Sequence, residues 1–127
     1  MAGEVPQRLG FGREARIKQG RDFARVRQDG ERRVTGCLIA NWRQLPPEAR
    51  SRLGVITTRK IGDAVVRSRA RRLLRETFRL HQRELAQPLD LVLVARASIV
   101  DRRLTEVERD FLTTFRKAGL LRLPGNT

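Results

Sequence analysis

An unusual concentration of arginine lies between residues 50 and 83. This stretch holds ten arginines and Lys60 but only two acidic residues, Asp63 and Glu76, so it carries nine of the fourteen excess positive charges of the chain. Guanidinium groups bind phosphate through paired N–H donors and stack on nucleobases. The chemistry that these residue types indicate is therefore binding of a polyanion. The excess of arginine over lysine has a second explanation, a GC-rich genome, which composition leaves open.

Helical periodicity places most of these arginines on one side of a long helix predicted over 64–85. Apolar residues recur at spacings of three and four from Val66 to Leu85, which is typical of a helix packed by one face. The opposite face holds Arg67, Arg69, Arg71, Arg72, Arg75, Arg79 and Arg83. A merely solvated face normally mixes charges of both signs, and like charges at i, i+4 weaken an isolated helix. We therefore interpret this face as one that binds a polyanion.

Among polyanions, RNA fits this pattern best. A membrane-bound helix would need its apolar side for lipid, whereas here the apolar side is needed to pack against a sheet. Neither a helix-turn-helix nor a zinc-finger pattern for the DNA major groove is present in the sequence. A row of arginines can contact phosphates and 2′-hydroxyls and recognise RNA largely by its shape.

The remaining elements predict an α+β or α/β two-layer sandwich, with helices packed on one mixed sheet. The predicted elements are a helix over Gly20–Asp29, strands over 33–42, 52–58 and 89–95, and a helix from a capping box at Thr105 to Gly119. A further short strand near 32–35 makes the order αβββαβα. Strand 33–42 is expected to pair antiparallel with 52–58 as a wide hairpin, and 52–58 to pair parallel with 89–95.

The chain length of 127 residues is that of one small domain. We predict a basic, flexible segment over 1–14, a single RNA-binding domain over 15–121 and a frayed tail over 122–127. No apolar run is long enough to span a bilayer, and the first residues lack the apolar core of a signal peptide. The expected localisation is cytoplasmic, without membrane association.

The residues that could do catalysis are few. His81 is the only histidine and lies within the helical pattern, so we interpret it as a core-boundary residue rather than an acid or base. Cys37, the only cysteine, is expected to be a small core residue. Asp63 is expected to cap the long helix rather than to hold a metal. Because the acidic residues near the basic face are isolated, no two-metal nuclease centre is predicted in the protein itself.

The run from Arg52 to Arg79 closely resembles the signature of the bacterial ribonuclease P protein component family. It contains Gly62-Asp63-Ala64-Val65, then Arg67-Ser68-Arg69, Arg71-Arg72 and Arg75-Glu76, and the Asp22-Phe23 pair matches near the N-terminus. Asp63 and Ser68 stand where the family usually has Asn, and Arg27 where a second aromatic residue is common. The resemblance covers about residues 15–120.

The resemblance implies a protein subunit that binds a catalytic RNA and the 5′ leader of precursor tRNA, with catalysis by the RNA and Mg2+ held mainly by the RNA. It also implies a left-handed β-α-β crossover. The sequence itself indicates no membrane association and no obligate protein partner. The residues implied to bind the catalytic RNA are Arg59, Lys60, Arg67, Ser68, Arg69, Arg71, Arg72, Arg75 and Arg79. The residues implied to bind the leader are Phe23, Arg27 and Asn41.

Two roles remain open for each aromatic residue that could touch RNA. Phe23 can stack on a leader base or pack in the core, and Trp42 can stack on a base or cover the edge of the sheet. At the level of the whole protein, the alternative function is a ribosomal or other structural RNA-binding protein with a similar β-α-β core.

Overall fold

The computed structural model describes residues 16, 17 and 20–122. The elements are α1 (Gly20–Asp29), β1 (Glu31–Thr35), β2 (Leu38–Gln44), β3 (Arg52–Ile56), α2 (Ala64–His81), β4 (Leu89–Ala95) and α3 (Leu104–Lys117). Short 3-10 turns cover Arg59–Ile61, Gln82–Glu84 and Ala97–Asp101. The predicted αβββαβα order and the α+β class, with one mixed sheet, are confirmed.

The four strands lie in the order β1-β2-β4-β3. Strand β4 pairs parallel with β3, as predicted, and antiparallel with β2. The predicted hairpin between 33–42 and 52–58 is wrong, because β4 lies between β2 and β3. Nearly every residue of β4 is buried, so this strand needs cover on both faces and takes an interior position. Strand β2 instead forms a hairpin with β1, which turns at Gly36 with a φ of 52°.

Helices pack on both faces of the sheet. Helices α2 and α3 cover one face, where the largest fully buried side chains are Phe78, Phe111 and Phe115. Helix α1 lies on the other face over a smaller apolar cluster centred on Val26 and Val92. Ten residues are too few for a stable isolated helix, so α1 depends on its contacts with the sheet.

The helix ends differ in detail from the sequence-based predictions. Asp63 caps α2 as expected, because its Oδ1 accepts a hydrogen bond from the backbone N–H of Val66 at 3.1 Å. Helix α2 ends at His81 rather than at residue 85, and the chain tightens into the 3-10 turn that follows. The capping box of helix α3 lies two residues earlier than predicted. Glu106 accepts from the backbone N–H of Arg103 at 2.8 Å, so the box joins Arg103 and Glu106 instead of Thr105 and Glu108.

The predicted flexible segment 1–14 and residues 123–127 of the predicted tail lie outside the described residues. Arg122, the first residue of that tail, is described. Its backbone N–H donates to the carbonyl of Glu84 at 2.8 Å, next to the isolated bridge between Leu85 and Leu121. This contact places the end of the described chain beside the 3-10 turn that follows α2.

Candidate nucleic-acid interface

Helix α2 presents the predicted basic face, and its other side is committed to the core through Ala70, Leu74, Thr77 and Phe78. An open groove of about 350 Å³ runs along its solvent side. The groove is lined by Ser68, Arg71, Arg72, Arg75, Glu76 and Arg79. Because four of these six side chains are arginines, the groove is strongly cationic and suits a phosphate backbone.

Two arginines of α2 are held in place by the protein. Arg71 donates from Nη1 to Thr57 Oγ1 at 2.8 Å and from Nη2 to Ser68 Oγ at 3.2 Å. Arg67 donates from Nη1 to the carbonyl of Gly62 at 2.9 Å. Each guanidinium keeps further N–H donors after these bonds. Because these side chains are already ordered in the free protein, they lose less conformational entropy when RNA binds.

The guanidinium of Arg75 lies close to those of two other arginines, Arg16 and Arg71. Burial lowers the pKa of Arg75, and the charges of Arg16 and Arg71 lower it further. Its guanidinium makes no hydrogen bond to any other residue that the structure describes. An anion bound between these groups would relieve their mutual repulsion. Arg16 reaches this position because it forms an isolated parallel bridge with Leu53, and no periodicity in the sequence could have indicated that.

Arg79, at the far end of the groove, shares its charge with Glu76. Its Nε donates to Oε1 at 2.9 Å and its Nη2 to Oε2 at 2.5 Å. These hydrogen bonds lower the pKa of Glu76 and raise that of Arg79. An exposed pair of this kind adds little to stability. It does make this end of the groove less cationic than the part around Arg71 and Arg75.

Arg69 lies on the side of α2 that faces the segment after β4. It donates from Nη1 to the carbonyl of Val100 at 3.2 Å and from Nη2 to the carbonyl of Arg102 at 2.7 Å. These bonds clamp the 3-10 turn Ala97–Asp101 against α2. The helical projection grouped Arg69 with the other arginines of the face, and only the tertiary contacts separate it from them.

Arg59, Lys60 and Arg72 are exposed. Within the part of the chain that the structure describes, their side chains have no hydrogen-bond partner. Arg59 and Lys60 lie in the 3-10 turn that leads from β3 into α2. These two cations therefore extend the basic surface beyond the N-terminal end of the helix.

On the other side of the sheet, beside α1, an apolar row crosses all four strands. The pairing register aligns Val34 with Ile39, Ile39 with Val94, and Val94 with Ile56. All four side chains are at least partly exposed, and Val34 is 45% exposed. We call these four residues the open row.

Helix α1 packs on the adjacent row of the sheet, with Phe23 over Gly54 and Val26 in one cluster with Val92, so it stands along one side of the open row. We call the space above the open row and beside α1 the α1 groove.

The three predicted leader-binding residues lie in or under α1. Phe23 is partly buried and packs over Gly54, where an added Cβ would lie 2.6 Å from two ring carbons. Asn41 is only 4% exposed, so its side chain is beneath the surface rather than at it. Arg27 is exposed. Asp22, on one flank of α1, contacts Arg52, and the helical phase puts Arg27 on the opposite flank, toward the open row.

Three further side chains singled out from the sequence lie in the core or at its boundary. Trp42 is 3% exposed and contacts Phe115 edge to face, with ring centroids 5.2 Å apart, so it packs under α3 instead of presenting its ring to solvent. Cys37 is fully buried, and burial raises the pKa of its thiol to about 12. His81 ends α2 and contacts Glu84 and Glu108 at 2.5 and 2.7 Å.

The described residues contain no group of three or more His, Cys, Asp or Glu side chains that could hold a metal ion. The donor set present in residues 16, 17 and 20–122 therefore does not fit a protein-bound Mg2+ centre, and no catalytic step is assigned to one. Among the described helices, none is both long and apolar enough to cross a membrane.

The sequence and the fold were compared with those of known proteins to identify the family. The family model described as ribonuclease P matches residues 11–119. The chain belongs to the ribonuclease P protein family. Similar relatives include the ribonuclease P protein components of Syntrophomonas wolfei, 36% identical over 85% of this chain and 90% of the relative, and of Clostridium acetobutylicum, 31% identical over 86% and 92%.

Solved structures of ribonuclease P proteins share the fold. The Staphylococcus aureus protein matches with a TM-score of 0.75 at 23% identity, covering 85% of this chain and 98% of that one. The Thermotoga maritima protein matches with a TM-score of 0.71 at 24% identity, covering 80% and 96%.

As a ribonuclease P protein, the chain is a component of the ribonucleoprotein endonuclease that matures the 5′ end of tRNA, and it associates with the RNA of that enzyme. This assignment confirms the family expected from the run between Arg52 and Arg79. It also favours the ribonuclease P subunit over the ribosomal RNA-binding protein considered as the alternative.

Proposed function

We propose that α2 binds the catalytic RNA of ribonuclease P through its groove, and that the open row and α1 hold the 5′ leader of precursor tRNA. The observation that carries the first part is the state of Arg75. Burial lowers the pKa of this guanidinium, the charges of Arg16 and Arg71 lower it further, and no described residue accepts a hydrogen bond from it. A site built in this way is completed by an anion from outside the protein.

The catalytic RNA makes its contacts in two ways along α2. Arg67, Arg71 and Ser68 supply donors that the protein already orients, whereas Arg72, Arg75, Arg59 and Lys60 supply cations without an acceptor among the described residues. Phosphate neutralisation by such groups makes affinity fall steeply with salt. Arg79 also contacts the RNA in this proposal, but its charge is partly neutralised by Glu76. Arg69 contributes mainly by holding its neighbouring segment.

The leader lies on the opposite side of the sheet. The open row offers aliphatic side chains on which bases can rest, and Arg27 overhangs it as a phosphate contact. The ring of Phe23 contacts Gly54 through Cε1 and Cζ, and its exposed part is available to the leader. Asn41 lies under α1, on the same face of the sheet as the open row. Since α2 and α1 pack on opposite faces of the sheet, the protein can bind both RNAs at once.

The chemical step belongs to the RNA subunit in this proposal, with Mg2+ held mainly by RNA. The protein supplies affinity and positioning: it screens the repulsion between two polyanions and fixes the leader relative to the catalytic RNA. The site of action is the cytoplasm, where precursor tRNA is made.

Reconstitution tests the proposal directly. Precursor tRNA, Mg2+ and the catalytic RNA of the same organism are combined with and without the protein at near-physiological salt. We expect the protein to stimulate cleavage by the RNA, and more strongly for a long leader than for a leader of one nucleotide. Cleavage by the protein alone, or no stimulation, would contradict the subunit function proposed here.

A matched pair of double variants tests the interface on α2. Arg72→Ala with Arg75→Ala should weaken binding to the catalytic RNA and lower the slope of log affinity against log salt by about 2. Arg109→Ala with Lys117→Ala removes the same charge from exposed positions of α3 and should leave the slope nearly unchanged. Equal salt slopes for the two variants would show that the groove on α2 is not the surface that contacts the catalytic RNA.

A further inference from the structure

An ion pair with a buried carboxylate lies on the α1 face of the sheet, apart from the residues proposed to contact RNA. Asp90 of β4 is 1% exposed, and Arg52 of β3 donates to both of its carboxylate oxygens, from Nε to Oδ1 at 2.8 Å and from Nη2 to Oδ2 at 2.8 Å. A bidentate pair of this kind is directional as well as strong. The Arg52 guanidinium is therefore fixed in orientation by the sheet.

This guanidinium also reaches the helix above it. Arg52 Nη1 lies 3.6 Å from Asp22 Oδ2 of α1, and Arg43 Nη2 of β2 lies 3.6 Å from the same Asp90 carboxylate. Arg52 thus connects α1 to β3 and β4, and Asp90 extends the network to β2 through Arg43. Hydrogen bonding to Asp90 and the Asp90 charge raise the pKa of Arg52, and Asp22 adds to the effect. The apolar cluster under α1 is small, and this ion pair adds a contact of defined direction to it.

The position of the network relative to the groove follows from the strand register. Arg52 pairs with Asp90, Gly54 with Val92, and Ile56 with Val94. Side chains two residues apart share a face about 7 Å from each other. One face of the sheet therefore carries three adjacent rows: the ion pair, the residues covered by α1, and the open row. Helix α1 is fastened at the flank that carries Asp22, and its other flank, with Arg27, borders the groove.

We propose that Arg52, oriented by Asp90, is a positioning residue that sets the place of α1 over the sheet and thereby the shape of the groove for the leader. This inference rests on the proposed leader-binding function. Arg52 touches no RNA in this arrangement. It acts through Asp22, which is the neighbour of Phe23 in the chain, so a shift of Asp22 moves the ring that borders the groove.

The experiment uses the reconstituted holoenzyme with two substrates, one with a long leader and one with a leader of a single nucleotide. Asp22→Asn removes the ion pair between Arg52 and α1 and leaves the pair of Arg52 with Asp90 intact, so the variant should fold. Arg52→Lys keeps the charge and removes the bidentate geometry. For both variants we expect KM for the long-leader substrate to rise about three- to tenfold, with kcat, the short-leader substrate and affinity for the catalytic RNA unchanged.

Asp29→Asn is the matched control, because Asp29 lies exposed near the other end of α1 and the substitution changes the charge equally. It should leave KM for both substrates unchanged. If Asp22→Asn and Arg52→Lys keep the full preference for the long leader, or weaken both substrates equally, the inference is wrong while leader binding stands. If the unmodified protein shows no preference for the long leader, the proposed leader site itself is wrong, and the inference falls with it.

Discussion

The ring of Phe23 rests on Gly54. No other residue type at position 54 would leave room for it, because an added Cβ would lie 2.6 Å from ring atoms Cε1 and Cζ. Of the two roles that the sequence leaves open for Phe23, the contact supports packing against the sheet, and stacking on a leader base stays a prediction. One part of the ring is a core contact that seats α1, and the rest remains accessible beside the open row.

Gly54→Ala should therefore destabilise the protein by displacing α1. We expect a loss of about 1 to 3 kcal/mol in the free energy of unfolding, measured by urea denaturation, because the new methyl group overlaps the ring. Gly20→Ala is the control, since nothing lies within 4 Å of an added Cβ there. That variant should be neutral or slightly stabilising. Equal stability of the two variants would contradict the close contact between Phe23 and Gly54.

Arg69→Ala should lower stability more than it lowers the salt dependence of RNA binding. Its guanidinium donates to the carbonyls of Val100 and Arg102, so its removal leaves these acceptors without those bonds and costs on the order of 1 kcal/mol. Arg72→Ala removes an exposed cation from the same helix and should do the reverse. The measurements are thermal or urea unfolding and the salt slope of RNA affinity. A full slope decrease at unchanged stability for Arg69→Ala would identify it as a phosphate contact instead.

His81 should stabilise the packing of α2 against α3 at low pH more than at high pH. Burial lowers the pKa of His81, but hydrogen bonds with Glu108 and Glu84 and their charges outweigh burial, so its pKa is raised above the ordinary value of about 6.5. A raised pKa means that the folded state binds the proton more tightly than the unfolded chain. The stabilisation is then complete below pH 6.5 and is lost as the pH rises through the raised pKa.

The measurement is the difference in unfolding free energy between the unmodified protein and His81→Gln from pH 5.5 to pH 9. Glutamine preserves hydrogen bonding but cannot carry the charge that faces the two carboxylates. We expect the difference to shrink as the pH rises. A difference that stays constant over this range would show that the proton on His81 contributes nothing to the contact with Glu108.

Cys37 should be unreactive in the folded protein. The side chain is fully buried, and burial, with a hydrogen bond and charge from Asp110, raises the pKa of the thiol to about 12, so almost no thiolate forms near neutral pH. Thiol-specific reagents at pH 8 should label the denatured chain stoichiometrically and the native chain very slowly. Rapid labelling of the native chain would mean that the turn at Gly36 and Cys37 opens readily.

The regular elements and the basic surface could be read from the sequence because they depend on local patterns. Helical periodicity and the cap at Asp63 predicted α2 within a few residues, and the long apolar run predicted β4. The charge concentration and the motif from Arg52 to Arg79 indicated RNA binding and the family. Each of these signals lies within a short stretch of chain, where spacing alone determines which side chains share a face.

The strand order, and the residues that each arginine contacts, depend on the tertiary structure. Whether β2 pairs with β3 or with β4 depends on the burial of an entire strand, and no local pattern contains that comparison. The same holds for Arg69 and Arg52: as residue types both suit RNA. Val100, Arg102 and Asp90 lie 31 to 38 residues away along the chain, and only folding brings them within hydrogen-bonding distance. Local patterns in the sequence are thus enough to indicate an RNA-binding family, whereas contacts between distant residues determine which arginines keep N–H donors that no described residue uses.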